Sequence, residues 1–366
     1  MIIIPGEYWG NMEMLKENFP EVKKILVRSP NWVGDAVMSL PALMSIKSAL
    51  PASEISVLAK PWVADIFRGC SLASKIILYE SPGMHQGLSG KMRLAKKLKE
   101  EKFDLAILFP NSFESALIIY LARIPKRAGY NTDGRGLLLT HPVPAVEKKK
   151  GHQIDYYLKL VNYLGFPIST RAPLLKIEKE QVARMRQKLG SLGIKDNEPL
   201  VGLTPGSSYG PAKQWPTAKF AKLSELVNKK LGARIIVLGS QNDQDIAQRI
   251  LPPGRNLGYD FTGRTSLAEA MALISQCRLI ITNDSGLMHV AAALQVPVVA
   301  IFGSTDPEHT GPMGEHCRVL KKVLPCSPCF KKNCPKNREC LEAISVEEVY
   351  AEVKNLWNLS AKKSPD

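Results

Sequence analysis

The chain has no apolar run approaching the roughly 20 residues that a membrane-crossing helix needs, so a membrane-spanning protein is not expected. Its start, Met1-Ile-Ile-Ile-Pro5, lacks the basic residues and long apolar stretch of a secretory signal. Aromatic residues are only 7% of the chain, are not interleaved with Lys or Arg, and accompany no reader motif. Nucleic acid is therefore not an expected partner. Internal repeats and low-complexity tracts are absent, as is the Gly-Lys-Ser/Thr arrangement of a Walker loop.

What remains is an ordinary globular composition, 45% apolar and 23% charged, on a chain of 366 residues. That length is long for one core, so two domains are expected. The net charge of +15 is spread over both halves rather than held in a tail. It favours polyanionic partners: an acidic membrane surface, or phosphorylated and carboxylated substrates. The run Lys148-Lys149-Lys150 reads as a solvated loop.

Continuous apolar runs at Lys24–Arg28, Ile55–Ala59, Lys75–Tyr79, Asp104–Phe109, Leu200–Thr204, Arg234–Leu238, Leu279–Thr282 and Val298–Phe302 predict parallel strands covered on both faces. Helical patterns alternate with them, at Gly34–Leu50, Ser112–Arg123, Pro216–Leu231 and Ser266–Gln276. The succession predicts an α/β fold with doubly wound sheets. It is interrupted near Gly165-Phe-Pro and Arg171-Ala-Pro, resumes with a helix over about 178–192, and so divides the chain. The expected organisation is a loosely held extension (1–22), a first Rossmann-like domain (23–172), a second (173–344), and a terminal helix and tail (345–366) packing back across the junction.

Ligands of open α/β sheets bind beyond the carboxyl ends of the strands, and three segments stand there. In Asn31-Trp-Val-Gly-Asp35 a carboxylate opens a helix. That position favours the charged form, so a general-base role requires partial burial. In Pro205-Gly-Ser-Ser-Tyr-Gly-Pro-Ala-Lys-Gln-Trp-Pro216, glycines, the hydroxyls of Ser207 and Ser208, and the point charge of Lys213 suit a phosphate. In Thr282-Asn-Asp-Ser-Gly-Leu-Met-His289 a strand ends at Asp284 and Ser285. Gly286 permits close approach, and His289 lies one turn on. The unpaired first-turn amides of such a helix attract diphosphate. Asp243, after another strand, is placed to accept hydrogen bonds from a ribose.

Four stretches, Asn31-Trp-Val-Gly-Asp35, Leu108-Phe-Pro-Asn-Ser-Phe113, the Pro205–Pro216 loop and Thr282–Ala293, occur in the order found in the ADP-heptose:lipopolysaccharide heptosyltransferases. The chain resembles that family, glycosyltransferase family 9, from about residue 23 onward, with the nearest likeness to its heptosyltransferase II group. The resemblance implies GT-B architecture, two Rossmann-like domains facing across a cleft, with acceptor in the first and nucleotide sugar in the second. It implies an inverting transfer of heptose from ADP-heptose to the first heptose of the lipopolysaccharide inner core. Asp35 would be the general base and Lys213 the cation at the departing diphosphate. Ser207, Ser208, Asp284, Ser285, Gly286 and His289 would hold diphosphate and sugar, with Asp243 at the ribose and Thr265 near adenine. Asn31, Lys91, Arg93, Asn111 and Arg127 are acceptor-contact candidates, as are Lys96, Lys97, Arg123 and Lys126.

The implied setting is cytoplasmic, at the inner face of an anionic inner membrane, with no cofactor needed for the chemistry. Other readings stay open at this stage: a heptosyltransferase I acting on Kdo2-lipid A, a GT-B-like sugar-nucleotide epimerase, or a non-catalytic glycolipid- or nucleotide-binding module. Of seven cysteines, Cys70 and Cys277 read as packing residues, and Cys317 lies just upstream of a cluster. The cluster Cys326-x2-Cys329-x4-Cys334-x5-Cys340 is a candidate structural Zn or Fe–S site, with reduced thiols in a loop or one redox-labile pair as the alternatives.

Overall fold

The computed structural model describes residues 12–19, 21–68, 70, 72–146 and 151–361. The Lys148–Lys150 run, residues 1–11 and the tail beyond 361 lie outside the described residues. Two compact units divide the chain, Met1–Leu174 and Leu175–Asp366.

The first unit holds six parallel strands: β1 (Lys24–Arg28), β2 (Glu54–Ala59), β3 (Lys75–Leu78), β4 (Leu105–Leu108), β5 (Lys126–Tyr130) and β6 (His141–Val143), in the order β3-β2-β1-β4-β5-β6. The second holds β7 (Leu200–Thr204), β8 (Arg234–Val237), β9 (Gly258–Asp260), β10 (Leu279–Asn283), β11 (Val298–Phe302) and β12 (Cys317–Lys321), in the order β12-β11-β10-β7-β8-β9. The two sheets share one topology. In each, the winding reverses between the first and fourth strands, β1 and β4 or β7 and β10. That switch point opens a crevice at the carboxyl edge.

The central strands are buried along their whole length in β4, β7, β10 and β11. Helices cover both faces of such a sheet, which is why these segments are unbroken apolar runs. The apolar pattern does not mark four further strands. β5 opens with Lys126-Arg127, β6 contains Pro142, β9 is three residues long, and β12 is only half-buried. Three of these lie in the two outermost positions of their sheets, where one side of the strand meets no further partner and polar residues are tolerated.

Three other expectations need correction. The predicted Gly34–Leu50 helix is two, Val33–Met38 and Leu40–Ala49, meeting at Ser39. Pro41 has no N–H to continue the ladder across that junction. The extension is not wholly loose: within the Met12–Asn18 helix Leu15 is buried, and the following Phe19 ring stacks on Phe166 at 6.0 Å. Finally, the terminal Val346–Ala361 helix belongs to the second unit. Its stripe of Val346, Val349, Val353 and Leu356 closes over the core built by Val201, Leu203, Ile281 and Val299. It lies against the Thr217–Leu231 helix, and Arg278 caps its end with the guanidinium 4.0 Å from the Trp357 ring. The 3–4–3 spacing of the stripe requires an apolar partner, and the second sheet supplies it.

Candidate active site

At the switch point of the second unit, loops after β7 and β10 are sewn together by one buried side chain. Asn283 Nδ2 donates to Pro205 O at 2.5 Å, and its Oδ1 accepts from Trp215 N at 3.0 Å. The loop is thereby held at both ends, which carries Lys213 to Asp284: Nζ lies 2.5 Å from Oδ2. The two side chains keep only 13% and 6% of their accessible surface. Thr305, beyond β11, donates its hydroxyl to the same Oδ2 at 2.7 Å, and the Tyr209 ring centre lies 4.8 Å from the ammonium. A lysine so held is a positive charge fixed at the mouth of an anion-binding crevice.

The next helix, Gly286–Ala293, begins beside this pair. Ser285 stands at its N-cap yet caps no amide; its hydroxyl meets Thr282 Oγ1 at 3.2 Å. The first-turn amides thus remain available to an anionic guest. His289 is buried in the second turn. Ser207 is half-buried and Ser208 exposed, and neither hydroxyl is hydrogen-bonded among the described residues.

Asp243 is committed to its own turn. Its Oδ2 accepts from the amide and hydroxyl of Ser240, at 2.8 and 2.7 Å, forming a capping box. The carboxylate nevertheless lies against the phosphate loop, since a Cβ on Gly206 would collide with it. The Phe261–Arg264 turn joins the same edge through Gly263 N to Gly239 O, 3.0 Å, and leads into Thr265, half-buried before the Ser266 cap. All the nucleotide-side candidates therefore gather at the carboxyl edge of β7, β8, β9 and β10.

The cysteine segment wraps this loop. Lys332 O accepts from Ala212 N at 3.0 Å, Tyr209 donates its hydroxyl to Phe330 O at 2.6 Å, and Arg338 reaches Gln214 O at 3.1 Å. Gly210 makes the approach feasible: its φ is +151°, and a Cβ there would sit 2.6 Å from Lys332 O. The strap is fixed in turn to the end of β11, where Ser304 O accepts from Cys329 N and Phe330 N. All seven cysteines are free thiols. Burial raises the Cys340 thiol, with Cys334, Cys326 and Cys329 pushing in the same direction. Cys334 Sγ accepts from Lys336 N and Arg338 N at 3.4 and 3.3 Å. Among the described residues no three Cys, His, Asp or Glu side chains are gathered as a metal would need.

In the first unit Asp35 occupies the first turn of Val33–Met38 and is half-buried. The buried Tyr157, from the Gln153–Tyr163 helix, donates its hydroxyl to this carboxylate; burial first, then the charge of Asp35, raises its phenol well above the ordinary value. Tyr157 was not foreseen, because nothing in the apolar pattern of its helix separates a buried phenol aimed at a carboxylate from a core ring. Asn31 Oδ1 accepts from Arg28 at 2.6 Å, and Asn111 Nδ2 donates to the Tyr156 hydroxyl at 2.7 Å. Lys91 pairs with Glu114 at 2.6 Å, and Arg93 is exposed on the same helix.

Arg127 is a correction. It lies at the start of β5, and its guanidinium is spent on the carbonyls of Leu138, Ile124 and Pro125. In a parallel sheet strand starts lie on the edge opposite the crevice, which also removes Arg123 and Lys126 from it.

Fold and site define a doubly wound α/β protein with a crevice at each switch point, one bearing a carboxylate and the other a lysine beside an uncapped helix N-terminus. The chain belongs to glycosyltransferase family 9 (heptosyltransferase), whose model matches residues 91–339. Lipooligosaccharide heptosyltransferase 2 of Haemophilus ducreyi is 33% identical over 318 residues, covering 82% of this chain and 89% of that one. Lipopolysaccharide heptosyltransferase 1 of Pseudomonas aeruginosa is 25% identical over 331 residues, covering 85% and 87%. The structure of E. coli ADP-heptose lipopolysaccharide heptosyltransferase II superposes with a TM-score of 0.80 at 28% identity, over 92% of this chain and 99% of that one. The chain is a glycosyltransferase of GT-B architecture.

Proposed function

We propose that this enzyme transfers heptose from ADP-heptose to the first heptose of the lipopolysaccharide inner core. It would work at the cytoplasmic face of the inner membrane, held there peripherally; among the described residues no helix is long and apolar enough to cross a membrane. The observation that carries the reading is Lys213, fixed by Asp284 beside an uncapped helix N-terminus in a chain that is 33% identical to a heptosyltransferase 2.

The chemistry follows from these groups. Asp35 takes the proton of the acceptor hydroxyl as its oxygen attacks the anomeric carbon from the face opposite ADP. The bond from that carbon to the diphosphate oxygen breaks, and ADP departs with the electron pair. Lys213 and the first-turn amides of Gly286–Ala293 meet the charge that develops there. No covalent intermediate forms, the anomeric configuration inverts, and the positive charge needed is supplied by the chain itself, so no cofactor is assigned to the step. Ser207 and Ser208 would bind diphosphate oxygens and His289 would border the sugar. Asp243, already capping its own turn, would reach the ribose through Oδ1.

The test is ADP release from ADP-heptose with Kdo2-lipid A and heptosyl-Kdo2-lipid A offered separately, the product weighed by mass spectrometry. Release with the heptosylated acceptor and gain of one heptose is expected. Release only with the unheptosylated acceptor would move the enzyme to the first step, and silence with both would remove the substrate.

A further inference from the structure

The carboxyl edge of the first sheet holds a set of charges that the transfer chemistry does not use. Arg28 ends β1 and keeps 4% of its surface; Lys60 follows β2 and keeps 7%. Arg28 is anchored to Ser29 O at 2.5 Å and to Asn31, and its Nε is buried without a partner among the described residues. Lys60 donates to Ser81 O at 2.5 Å, and its ammonium stands 3.7 Å over the Tyr79 ring. The Tyr79 hydroxyl donates to Glu114 Oε1 at 2.5 Å, and the other oxygen of Glu114 is taken by Lys91.

Among the described residues, Glu114 is the carboxylate whose charge bears on both Arg28 and Lys60. Three cations face one anion, and the two deepest are almost out of water. Buried charge in excess of its counter-charge is unfavourable, and an anionic ligand would complete the balance. The strain is visible in the lysine: burial first, then Arg28, lowers it to about 8. The Lys60 ammonium also lies 5.7 Å from the ring centre of Trp62, an indole 48% exposed, and the Trp32 indole is 62% exposed. Trp62 is tied to the Asp35 loop, its Nε1 donating to Asn31 O at 2.7 Å, and Trp32 is the N-cap of the helix that carries Asp35. Exposed indoles present flat apolar faces, which suit the C–H faces of a pyranose.

We infer that Arg28 and Lys60, with the exposed indoles of Trp62 and Trp32, form the subsite of an acidic sugar unit of the acceptor, one bearing carboxylate or phosphate. The anion lies over the Lys60 ammonium and the adjoining ring stacks on an indole, which places the neighbouring hydroxyl at Asp35. This assignment rests on the transfer reading given above. Lys60 therefore sets acceptor choice and takes no proton.

The experiment measures KM for acceptor and for ADP-heptose with wild type, Lys60→Gln and Lys60→Arg. Three acceptors are compared: native heptosyl-Kdo2-lipid A, the same molecule with carboxylates reduced to alcohols, and the same molecule treated with phosphatase. Lys60→Gln should raise KM for the native acceptor about tenfold or more, the loss of one charge-assisted contact, and leave KM for ADP-heptose unchanged. Lys60→Arg should recover most of it. Whichever modified acceptor is as poor for wild type as for Lys60→Gln identifies the anion. An equal loss on all three acceptors would overturn the assignment, as would a change in both KM values. Quenching of tryptophan fluorescence by the deacylated acidic core oligosaccharide is read in parallel, with Trp62→Phe as control. Charge-dependent quenching without any transfer would sink the transfer reading and keep the subsite. Transfer with charge-independent quenching would sink the subsite alone.

Discussion

Replacing Lys213 by methionine keeps the unbranched stem, one atom shorter, and removes its charge, so two consequences can be separated. In the resting protein the variant leaves Asp284 buried, with the Thr305 hydroxyl as the remaining donor to Oδ2. Breaking one partner of a buried ion pair costs about 3–5 kcal/mol. Because Lys213 retains 13% exposure and Thr305 still serves the carboxylate, a loss of about 2–3 kcal/mol is expected, at or below the low end of that range. For a unit of this size 1 kcal/mol moves Tm by about 2–4 °C, so a fall of about 4–12 °C should appear by calorimetry. In the reaction the variant loses the charge aimed at the leaving diphosphate, worth about 10²–10³ in kcat. The double variant Lys213→Met/Asp284→Asn separates the two. A neutral amide in place of the stranded carboxylate should recover most of the lost Tm, while turnover stays low. A single variant with kcat within threefold of wild type would refute the diphosphate role. A double variant as unstable as the single would refute the claim that the stranded charge causes the instability.

Asp35→Asn should lower kcat by about 10³ or more with ADP affinity unchanged by calorimetric titration, since the base is removed and the nucleotide unit is untouched. Tyr157→Phe should cost about tenfold in kcat, because it frees a carboxylate that the phenol holds in place; unchanged steady-state rates would remove it from the site. Lys60 holds its proton to about pH 8 in the folded chain against 10.5 ordinarily. The unfolded chain therefore binds more protons between those values, and stability from this group rises with pH through that window. Lys60→Met should lack the rise in urea unfolding at pH 7, 8.5 and 10, and should be no less stable than wild type at pH 7. Alkylating the half-buried Cys326, Cys329 and Cys334 should loosen the strap over Ala212 and Gly210 and weaken ADP binding several-fold, and bound ADP should slow the labelling; equal ADP affinity before and after modification would show that the strap does not shape the loop.

Much was legible in the sequence because local physics determines it. Leu200–Thr204, Leu279–Asn283 and Val298–Phe302 are covered on both faces, so their burial is written as unbroken apolar runs. Asp35, Lys213 and Asp284 follow strand ends, and strand ends in such sheets are where ligands meet the chain. Other features lay beyond local pattern. The partly exposed strands carry polar residues, and β6 a proline, Pro142, that no apolar rule selects. Arg127 has the right chemistry on the wrong edge, and only strand direction reveals it.

The sequence alone determined the α/β class, the two-unit division and the order of the segments that meet substrate, because periodicity and turn chemistry act over a few residues. Tertiary structure decided which side chains share a site. The pairing of Lys213 with Asp284 spans 71 positions, and the Tyr79–Glu114 contact spans 35. The strap that joins Lys332 to Ala212, the phenol of Tyr157 at Asp35, and the two cations stranded over Tyr79 all depend on which strands lie side by side. That order is set by the packing of whole sheets, in which each residue contributes burial and only the assembled edge determines who meets whom.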